Sequence, residues 1–121
     1  MISYDSDNIF ARLIRKEIPS KRITEDDYHM AFYDLYPKAP IHILIVPKGP
    51  YVDAEHFHKE AASEEIVGFY RAVSHLPQVL SLKNGYRLIS NIGIDGEQEV
   101  PHYHLHLLAG KKLGPILITT L

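Results

Sequence analysis

The sequence predicts an α+β domain in which a five-stranded antiparallel sheet is backed by two main helices. Five segments have the alternating or β-branched apolar pattern of strands, and two have apolar residues at helical spacing. The connections among the first three strands are too short for the crossovers that parallel strands need. A chain of 121 residues has room for one ordinary core, so residues 1–121 are expected to form a single domain.

The first element is a predicted helix over residues 8–17. Residues 5–8 offer several N-caps, and Pro19 forbids continuation of the helix. Apolar residues recur at helical spacing at Ile9, Phe10, Leu13 and Ile14. Packing against the core is the commonest role of such a stripe.

Three strands are predicted next, over residues 22–25, 28–34 and 40–47. The first two flank an acidic turn at Asp26 and Asp27. In the second strand, alternation places Asp34 on the face that carries Met30 and Phe32. A carboxylate at the end of an apolar face either caps the following turn or faces a ligand.

The second half of the chain supplies one helix and two strands. The helix begins at Ser63, an N-cap followed by two glutamates, and Pro77 closes it near its end. Strands over residues 85–91 and 100–108 complete the sheet, with a Gly/Asp loop between them. Residues 110–121 form a tail.

The composition excludes several classes of protein. A net charge of −2, without clustered Lys or Arg, excludes general electrostatic binding to nucleic acid polymers. Any bound nucleotide is therefore expected to be small. The chain has no cysteine, which excludes disulfides and thiolate metal sites. No signal peptide is visible, and the longest aliphatic run, residues 43–46, is far too short to span a membrane. We expect a cytoplasmic protein without a membrane partner.

The clearest chemical signal is the run His102-Tyr103-His104-Leu105-His106. Three histidines at alternate positions arise by chance about 0.03 times in a chain with this histidine content. On a strand the three imidazoles point to one side, while Tyr103 and Leu105 point to the other. On a helix the imidazoles would diverge. The spacing therefore predicts a strand with a row of imidazoles on one face.

Three interpretations of this row stay open. The first is a solvated strand with surface histidines. The second is a zinc site: alternate positions span roughly 13 Å of strand, so one ion can hardly take all three imidazoles, although two of them plus His42 remain feasible. The third is nucleophilic catalysis on a phosphate by His104, since neutral imidazole is a good nucleophile near neutral pH. The preceding loop then supplies donors, from backbone N–H groups around Gly96 and the amide of Gln98.

With the two leucines that follow it, the run resembles the histidine-triad signature, in which histidines alternate with apolar residues. The resemblance covers nearly the whole chain and is closest to the histidine triad (HIT) nucleotide-binding proteins that act as purine nucleoside phosphoramidases. The other segments that follow the family's order are Asn8-Ile9-Phe10, Arg15-Lys16-Glu17-Ile18-Pro19, Ala31-Phe32, Asp34, Pro37, Ala39-Pro40, His42, Ile45-Val46-Pro47, Asn91, Gly96, Gln98-Glu99-Val100 and Ala109-Gly110.

The resemblance implies a HIT-like fold whose sheet extends across a homodimer, hydrolysis of a purine nucleoside phosphoramidate, and no metal or other cofactor. His104 would attack the α-phosphorus to give a nucleotidyl-histidine that water then hydrolyses. His106 would contact phosphate oxygens, and His42 and His102 would form a relay that orients His104. Asp34 would accept hydrogen bonds from the ribose hydroxyls. Further nucleotide contacts implied by the resemblance are Ile9, Phe10, Leu13, Phe32 and Leu35 around the base, and Asn91, Gln98 and Glu99 on the phosphate and leaving-group side.

Two positions depart from the better-known animal members of the family. Tyr33 stands where they carry histidine, and Glu99 stands where they carry serine, although bacterial-type members resemble this chain at Glu99. The tail also varies among members, so the resemblance does not fix the leaving group. Two related functions stay open: a purine nucleotide-binding regulatory module with incidental hydrolysis, and a dinucleoside polyphosphate hydrolase.

The remaining histidines are predicted to lie on the surface. His56 and His58 form a second alternating pair, but they occupy a polar stretch without strand alternation. His29 and His75 are isolated.

Overall fold

The computed structural model describes residues 2–118. Its helices are α1 (Ile9–Ile14), α2 (Ala54–Glu60) and α3 (Ser63–Val79). Its strands are β1 (Arg22–Glu25), β2 (His29–Tyr33), β3 (Ile41–Pro47), β4 (Arg87–Ile89) and β5 (Leu105–Ala109). Neighbouring strands pair antiparallel in one sheet with the order β1-β2-β3-β5-β4. The predicted α+β class and the five-stranded antiparallel sheet are confirmed.

The sheet separates two apolar clusters, one on each face. Paired residues share a face, so Ile43 and Leu107 lie on one side of the sheet and Leu44 and His106 on the other. The larger cluster joins the first side to α2 and α3, and includes Ile43, Ile45, Phe57, Phe69, Leu76, Tyr103 and Leu107. The smaller cluster joins the second side to α1, and consists of Phe10, Leu13, Met30, Phe32, Leu44 and Val46. His42 and His106 thus lie on the α1 side of the sheet.

α1 is shorter than predicted. Asn8 caps it, with its side-chain oxygen accepting a hydrogen bond from the Ala11 N–H at 2.9 Å. The helix ends at Ile14 because Lys16 adopts a φ of 65°, which lies in the left-handed region that a right-handed helix excludes. The chain has therefore turned before Pro19 is reached.

β5 is also shorter than predicted, and this changes the histidine run. The strand begins at Leu105, so His102 and His104 precede it, and the prediction that both lie on a strand was wrong. Pairing with β3 stops because Pro47 ends that strand and has no N–H to donate. The Pro47 carbonyl oxygen instead accepts a hydrogen bond from the ring of His102 at 2.8 Å.

α2 was not predicted, and it contains the stretch expected to be a solvated pair of histidines. Asp53 caps the helix, with its carboxylate accepting from the His56 N–H at 2.8 Å. His56 is half-buried, and its Nδ1 accepts from the Val52 N–H at 2.9 Å. Phe57 is fully buried in the larger cluster. Of the two histidines expected to be solvated, His58 is exposed and His56 is not. Phe57, three residues after Ala54, was the apolar signal for this helix.

His29 is buried, contrary to the surface position predicted for it. Its Nδ1 lies 2.8 Å from the carboxylate of Asp26, and its Nε2 lies 2.9 Å from the hydroxyl of Thr24. The same carboxylate caps the turn that was predicted there, by accepting from the backbone N–H of Tyr28. His75 is exposed, as predicted.

α3 differs from its prediction at both ends. Its N-cap is Ala62 rather than Ser63, and the Ala62 N–H donates to the Glu65 carboxylate at 3.3 Å. Pro77 lies inside the last turn, and the helix continues to Val79. Within residues 2–118, no helix has the length and apolar character needed to cross a membrane.

Candidate active site

His104 lies in the loop that leads into β5, with one ring nitrogen free for chemistry. Its Nδ1 is 2.7 Å from the carbonyl oxygen of His102, which can only accept, so Nδ1 carries the proton. In the neutral ring, Nε2 then holds the lone pair. The ring packs edge-on against Phe10, with centroids 4.9 Å apart. His104 is 7% exposed, and no group in residues 2–118 hydrogen-bonds to its Nε2.

His102 holds this loop in place through both ring nitrogens. Its Nε2–H donates to the Pro47 carbonyl, so its Nδ1 accepts, and the hydroxyl of Tyr4 donates to it at 2.6 Å. Burial raises the pKa of Tyr4, which keeps that hydroxyl protonated. His102 is fully buried, so the interpretation of the run as surface histidines was wrong. No pattern in the sequence pointed to Tyr4.

Tyr103 anchors the same loop on the opposite side of the sheet. Its N–H donates to the Tyr51 carbonyl at 2.7 Å, and its hydroxyl lies 2.7 Å from the hydroxyl of Tyr70 on α3. The ring is buried in the larger cluster. The loop is thus fixed from both faces, although it lies outside the strand ladder.

His42 and His106 form a second, separately fixed pair. The backbone N–H of Lys38 donates to Nδ1 of His42 at 3.0 Å, so the proton of the neutral His42 ring is on Nε2. That Nε2–H lies 2.9 Å from Nδ1 of His106, which therefore accepts. The proton of the His106 ring is then on its Nε2. His106 thus presents an N–H donor, whereas His104 presents a lone pair.

These connections differ from the relay expected among the four histidines. His42 bonds to His106 rather than to His104. His102 reaches His104 through its carbonyl oxygen rather than through its ring. The rings of His104 and His106 are neighbours, with centroids 5.1 Å apart. The structure therefore brings the four histidines together as two hydrogen-bonded pairs.

Burial keeps the four histidines neutral near pH 7. It lowers the pKa of His102 to about 4, and it lowers that of His106 to about 4 with the neighbouring imidazoles adding to the effect. It also lowers the pKa of His42 and of His104, where the carboxylate of Asp34 acts in the opposite direction. The neutral form is the one in which a histidine can act as a nucleophile.

We expect the free energy of unfolding to decrease as the pH falls from about 6.5 to about 4. The pKa of His102 is about 4 when folded and 6.5 ordinarily, so in this interval the unfolded chain binds more protons and acid favours unfolding. A pKa difference of one corresponds to about 1.4 kcal/mol, so His102 alone contributes on the order of 3 kcal/mol.

Urea unfolding of the wild type and of His102→Gln at about pH 7 and about pH 4.5 measures this effect. The variant is expected to lose less stability on acidification than the wild type. Equal losses in the two proteins would contradict the role given to His102.

Asp34 follows β2 directly and makes two kinds of contact. One carboxylate oxygen accepts from the Tyr36 N–H at 2.7 Å, which caps the turn. The other lies 3.5 Å from Nε2 of His42, and the side chain is 18% exposed. Asp34 therefore caps its turn and also faces the histidine site.

The five residues expected around a base divide into two groups. Phe10, Leu13 and Phe32 are buried in the smaller cluster, where Phe10 also contacts the ring of His104. Ile9 and Leu35 are 47% and 78% exposed. Free apolar surface for a ligand is therefore offered by Ile9 and Leu35.

The loop before the histidines is tied together by two amide side chains. The Asn91 amide donates to the Gly96 carbonyl at 2.6 Å. The Gln98 amide nitrogen donates to the carbonyls of Val52 at 2.7 Å and Val100 at 3.0 Å. Both N–H groups of Gln98 are thus engaged within the protein. Gln98 holds the loop and does not present the free amide donor that the sequence suggested for a phosphate.

Glu99 extends from this loop into solvent. It forms no ion pair with any residue between 2 and 118. Its carboxylate acts to raise the pKa of His104, against the larger effect of burial. Glu99 therefore places a negative charge within electrostatic reach of His104.

Three side chains in this region carry atoms of the kind that bind metals. Asp34, His42 and His106 each offer one ligand atom, and these atoms lie within 4.8 Å of one another. The zinc set left open by the sequence was two histidines of the run plus His42. The set in the structure includes one histidine of the run and a carboxylate instead.

The chain is similar to known proteins over most of its length. The family model described as the HIT domain matches residues 15–113. An uncharacterized 13.2 kDa HIT-like protein of Azospirillum brasilense is 47% identical over 116 residues, covering 95% of each chain. Purine nucleoside phosphoramidase of Escherichia coli K12 is 43% identical over 114 residues, covering 92% of this chain and 93% of that protein. The structure of a HIT family hydrolase from Clostridium thermocellum matches with a TM-score of 0.84 and 34% identity, covering 93% of this chain and 99% of that one.

Proposed function

The chain belongs to the HIT domain family, and from that premise we propose that it hydrolyses purine nucleoside phosphoramidates through a covalent bond to His104. The observation that carries the proposal is a pair of neighbouring neutral imidazoles whose free ring nitrogens differ in protonation. Nε2 of His104 holds a lone pair, and Nε2 of His106 holds a proton. Similarity to a purine nucleoside phosphoramidase supports the substrate class.

The first chemical step forms a bond between Nε2 of His104 and the α-phosphorus. The bond from phosphorus to the amine nitrogen breaks, and the amine leaves with that electron pair and takes a proton from solvent. The His104 ring becomes cationic, so the hydrogen bond from its Nδ1–H to the His102 carbonyl becomes charge-assisted and stronger. The His102 carbonyl therefore stabilises the intermediate more than the free enzyme.

The second step returns the enzyme to its starting state. Water attacks the α-phosphorus, the bond from phosphorus to His104 breaks, and the electron pair returns to Nε2. The water proton is released to solvent, and the nucleoside monophosphate leaves. His106 donates its Nε2–H to a phosphate oxygen in both steps, because His42 holds that tautomer before substrate arrives.

The nucleotide is placed by groups on the α1 side of the sheet. The half-buried carboxylate of Asp34 accepts hydrogen bonds from the ribose hydroxyls. Ile9 and Leu35, whose apolar side chains are exposed, contact the purine. The loop held by Asn91 and Gln98, with Glu99 on its exposed side, borders the phosphate and the leaving group.

A second copy of the chain completes the proposed assembly as a homodimer. Within residues 2–118, β4 is an edge strand that pairs with β5 alone. Two exposed apolar side chains accompany it: Leu88 lies on the strand and Tyr86 directly precedes it. An unpaired edge of this kind invites another strand, and a two-fold partner would extend the sheet and cover these side chains. Sedimentation is expected to give twice the mass of one chain.

The proposal is tested by rapid quench of the wild type with adenosine 5′-phosphoramidate in the presence of a chelator. The expected results are turnover and a transient mass increase of one AMP that maps to His104. Tight binding of AMP without turnover of any phosphoramidate would indicate a nucleotide-binding module instead. Activity lost in chelator and restored by zinc would indicate a metal-dependent hydrolase.

Glu99→Gln is expected to weaken the preference for a cationic leaving group. A carboxylate near the reacting phosphorus attracts a positively charged amine and repels a polyphosphate, so phosphoramidates of cationic amines are favoured over dinucleoside polyphosphates. An exposed charge pair contributes about 0.2–1 kcal/mol, which corresponds to a change of up to about fivefold in relative kcat/KM.

Matched phosphoramidates of a cationic and a neutral amine measure this preference. Glu97→Gln, an exposed residue of the same loop, is the control and should leave the ratio unchanged. An unchanged ratio in Glu99→Gln would rule out Glu99 as a selector of the leaving group.

A further inference from the structure

The backbone N–H of Lys38 faces a ring nitrogen of His42 at 3.0 Å. We propose that this N–H keeps divalent metal ions out of the cluster formed by Asp34, His42 and His106, by holding the proton of His42 on Nε2. The inference concerns a single proton, and it does not depend on which nucleotide the protein hydrolyses.

The cluster has the ligand types and spacing of a zinc site. Tetrahedral zinc with bonds of about 2.0–2.1 Å places its ligand atoms about 3.3 Å apart. Nε2 of His42 lies 2.9 Å from Nδ1 of His106 and 3.5 Å from the Asp34 carboxylate. Two of the three separations are therefore within a few tenths of an ångström of the zinc value, and all three ligand atoms lie within 4.8 Å of one another, so an ion could replace the proton between the two rings.

The hydrogen-bond partners outside the cluster oppose that exchange. A histidine that binds metal through one nitrogen donates the N–H of its other nitrogen to an acceptor. Nδ1 of His42 faces the N–H of Lys38, which is a donor and cannot accept. Binding zinc at Nε2 would move the ring proton to Nδ1, where two N–H groups would oppose each other. The Lys38 amide therefore disfavours the tautomer that the metal requires.

The same hydrogen bond keeps the site prepared for a phosphate. With the proton on Nε2, His42 donates to His106, and His106 carries its own proton on the nitrogen that remains free. A bound metal would occupy Asp34 and remove the hydrogen bond from His42. Exclusion of metal and orientation of His106 are thus two consequences of one backbone N–H.

The test compares the zinc affinity of the full chain and its variants by competition with a chromogenic chelator at neutral pH. Lys38→Pro removes the N–H, whereas Lys38→Ala removes the charged side chain and keeps the N–H. Adding Asp34→Asn to each protein separates zinc held by the cluster from zinc held by surface histidines. Lys38→Pro is expected to bind zinc through the cluster at least about tenfold more tightly than the wild type and Lys38→Ala.

Equal Asp34-dependent affinity in the wild type and Lys38→Pro would overturn the proposal. An equal gain in Lys38→Ala would assign the effect to the ammonium group and overturn it as well. Nitrogen NMR of the wild-type imidazoles gives a second test that stands even where Lys38→Pro does not fold. A proton on Nε2 of His42 is expected, and a proton on Nδ1 would refute the inference.

The zinc results are expected to be the same in a His104→Ala background, because His104 lies outside the cluster. Failure of the hydrolase proposal would appear as absence of turnover with these results intact. Failure of the metal inference would appear in the zinc and NMR measurements, whether or not the wild type turns over the phosphoramidate.

Discussion

His104→Ala is expected to lower kcat for a nucleoside phosphoramidate by about 10⁴- to 10⁶-fold. The other rings near the phosphate do not offer a lone pair in place of His104. Both ring nitrogens of His102 are engaged by the Pro47 carbonyl and the Tyr4 hydroxyl. His106 presents an N–H at its free nitrogen. Loss of His104 therefore removes the proposed covalent path, and no neighbouring ring replaces it.

Single-turnover and steady-state kinetics with the same phosphoramidate measure this effect. Because His104 is buried, thermal unfolding is recorded in parallel to show that the variant is folded. His75→Ala is the matched control, since His75 is exposed on α3 and should leave kcat unchanged. Turnover of His104→Ala within tenfold of the wild type, or a nucleotide attached to another residue, would exclude His104 as the nucleophile.

Phe57→Ala is expected to lower the free energy of unfolding by about 3–5 kcal/mol. The Phe57 side chain is 0% exposed, and its ring centroid lies 5.2 Å from that of Tyr103 and 5.3 Å from that of Phe69. Truncation removes these contacts and leaves a void that the surrounding aromatic rings cannot fill without moving. Tyr103 anchors the loop that carries His104, so the void also loosens the support of His104.

Urea unfolding at neutral pH measures the loss of stability. Glu55→Ala is the matched control, because Glu55 is exposed on the same helix and its removal should change stability by no more than about 0.5 kcal/mol. A loss below about 1 kcal/mol in Phe57→Ala would show that α2 contributes little to the core.

The fold class and the chemical character of the site could be predicted from the sequence. The β-branched apolar run at residues 40–47 and the alternation within residues 100–108 identify β3 and β5, and the alternation places Leu107 on the packed side. The short links among the first three strands allow only antiparallel pairing. The alternating histidines single out one region of chemistry, although their alternation was attributed to a strand that only His106 joins.

The sequence did not predict where the helices and strands end, nor which isolated histidines are buried. The end of α1 depends on the left-handed backbone conformation at Lys16. The start of β5 depends on the contact near Pro47, where the Pro47 carbonyl oxygen accepts a hydrogen bond from the His102 ring. Phe57 alone marked α2 as a buried helix, in a stretch whose other side chains are mostly polar. These features are set by single residues in contact with distant segments rather than by a periodic pattern.

By itself, the sequence determined which histidines are candidates for the chemistry and which faces of its strands are apolar, because both depend on residue type and on neighbours one to four positions away. The partners that place the protons of His42 and His104 are only four and two residues away, whereas only the tertiary structure decided which nitrogen holds the proton in His102 and in His106. Those protons are placed by Tyr4 on His102, by Pro47 on the same ring, and by His42 on His106, across sequence separations of 98, 55 and 64 residues. A tautomer follows the partner on the other nitrogen of the ring, and for His102 and His106 folding brings that partner from a distant part of the chain.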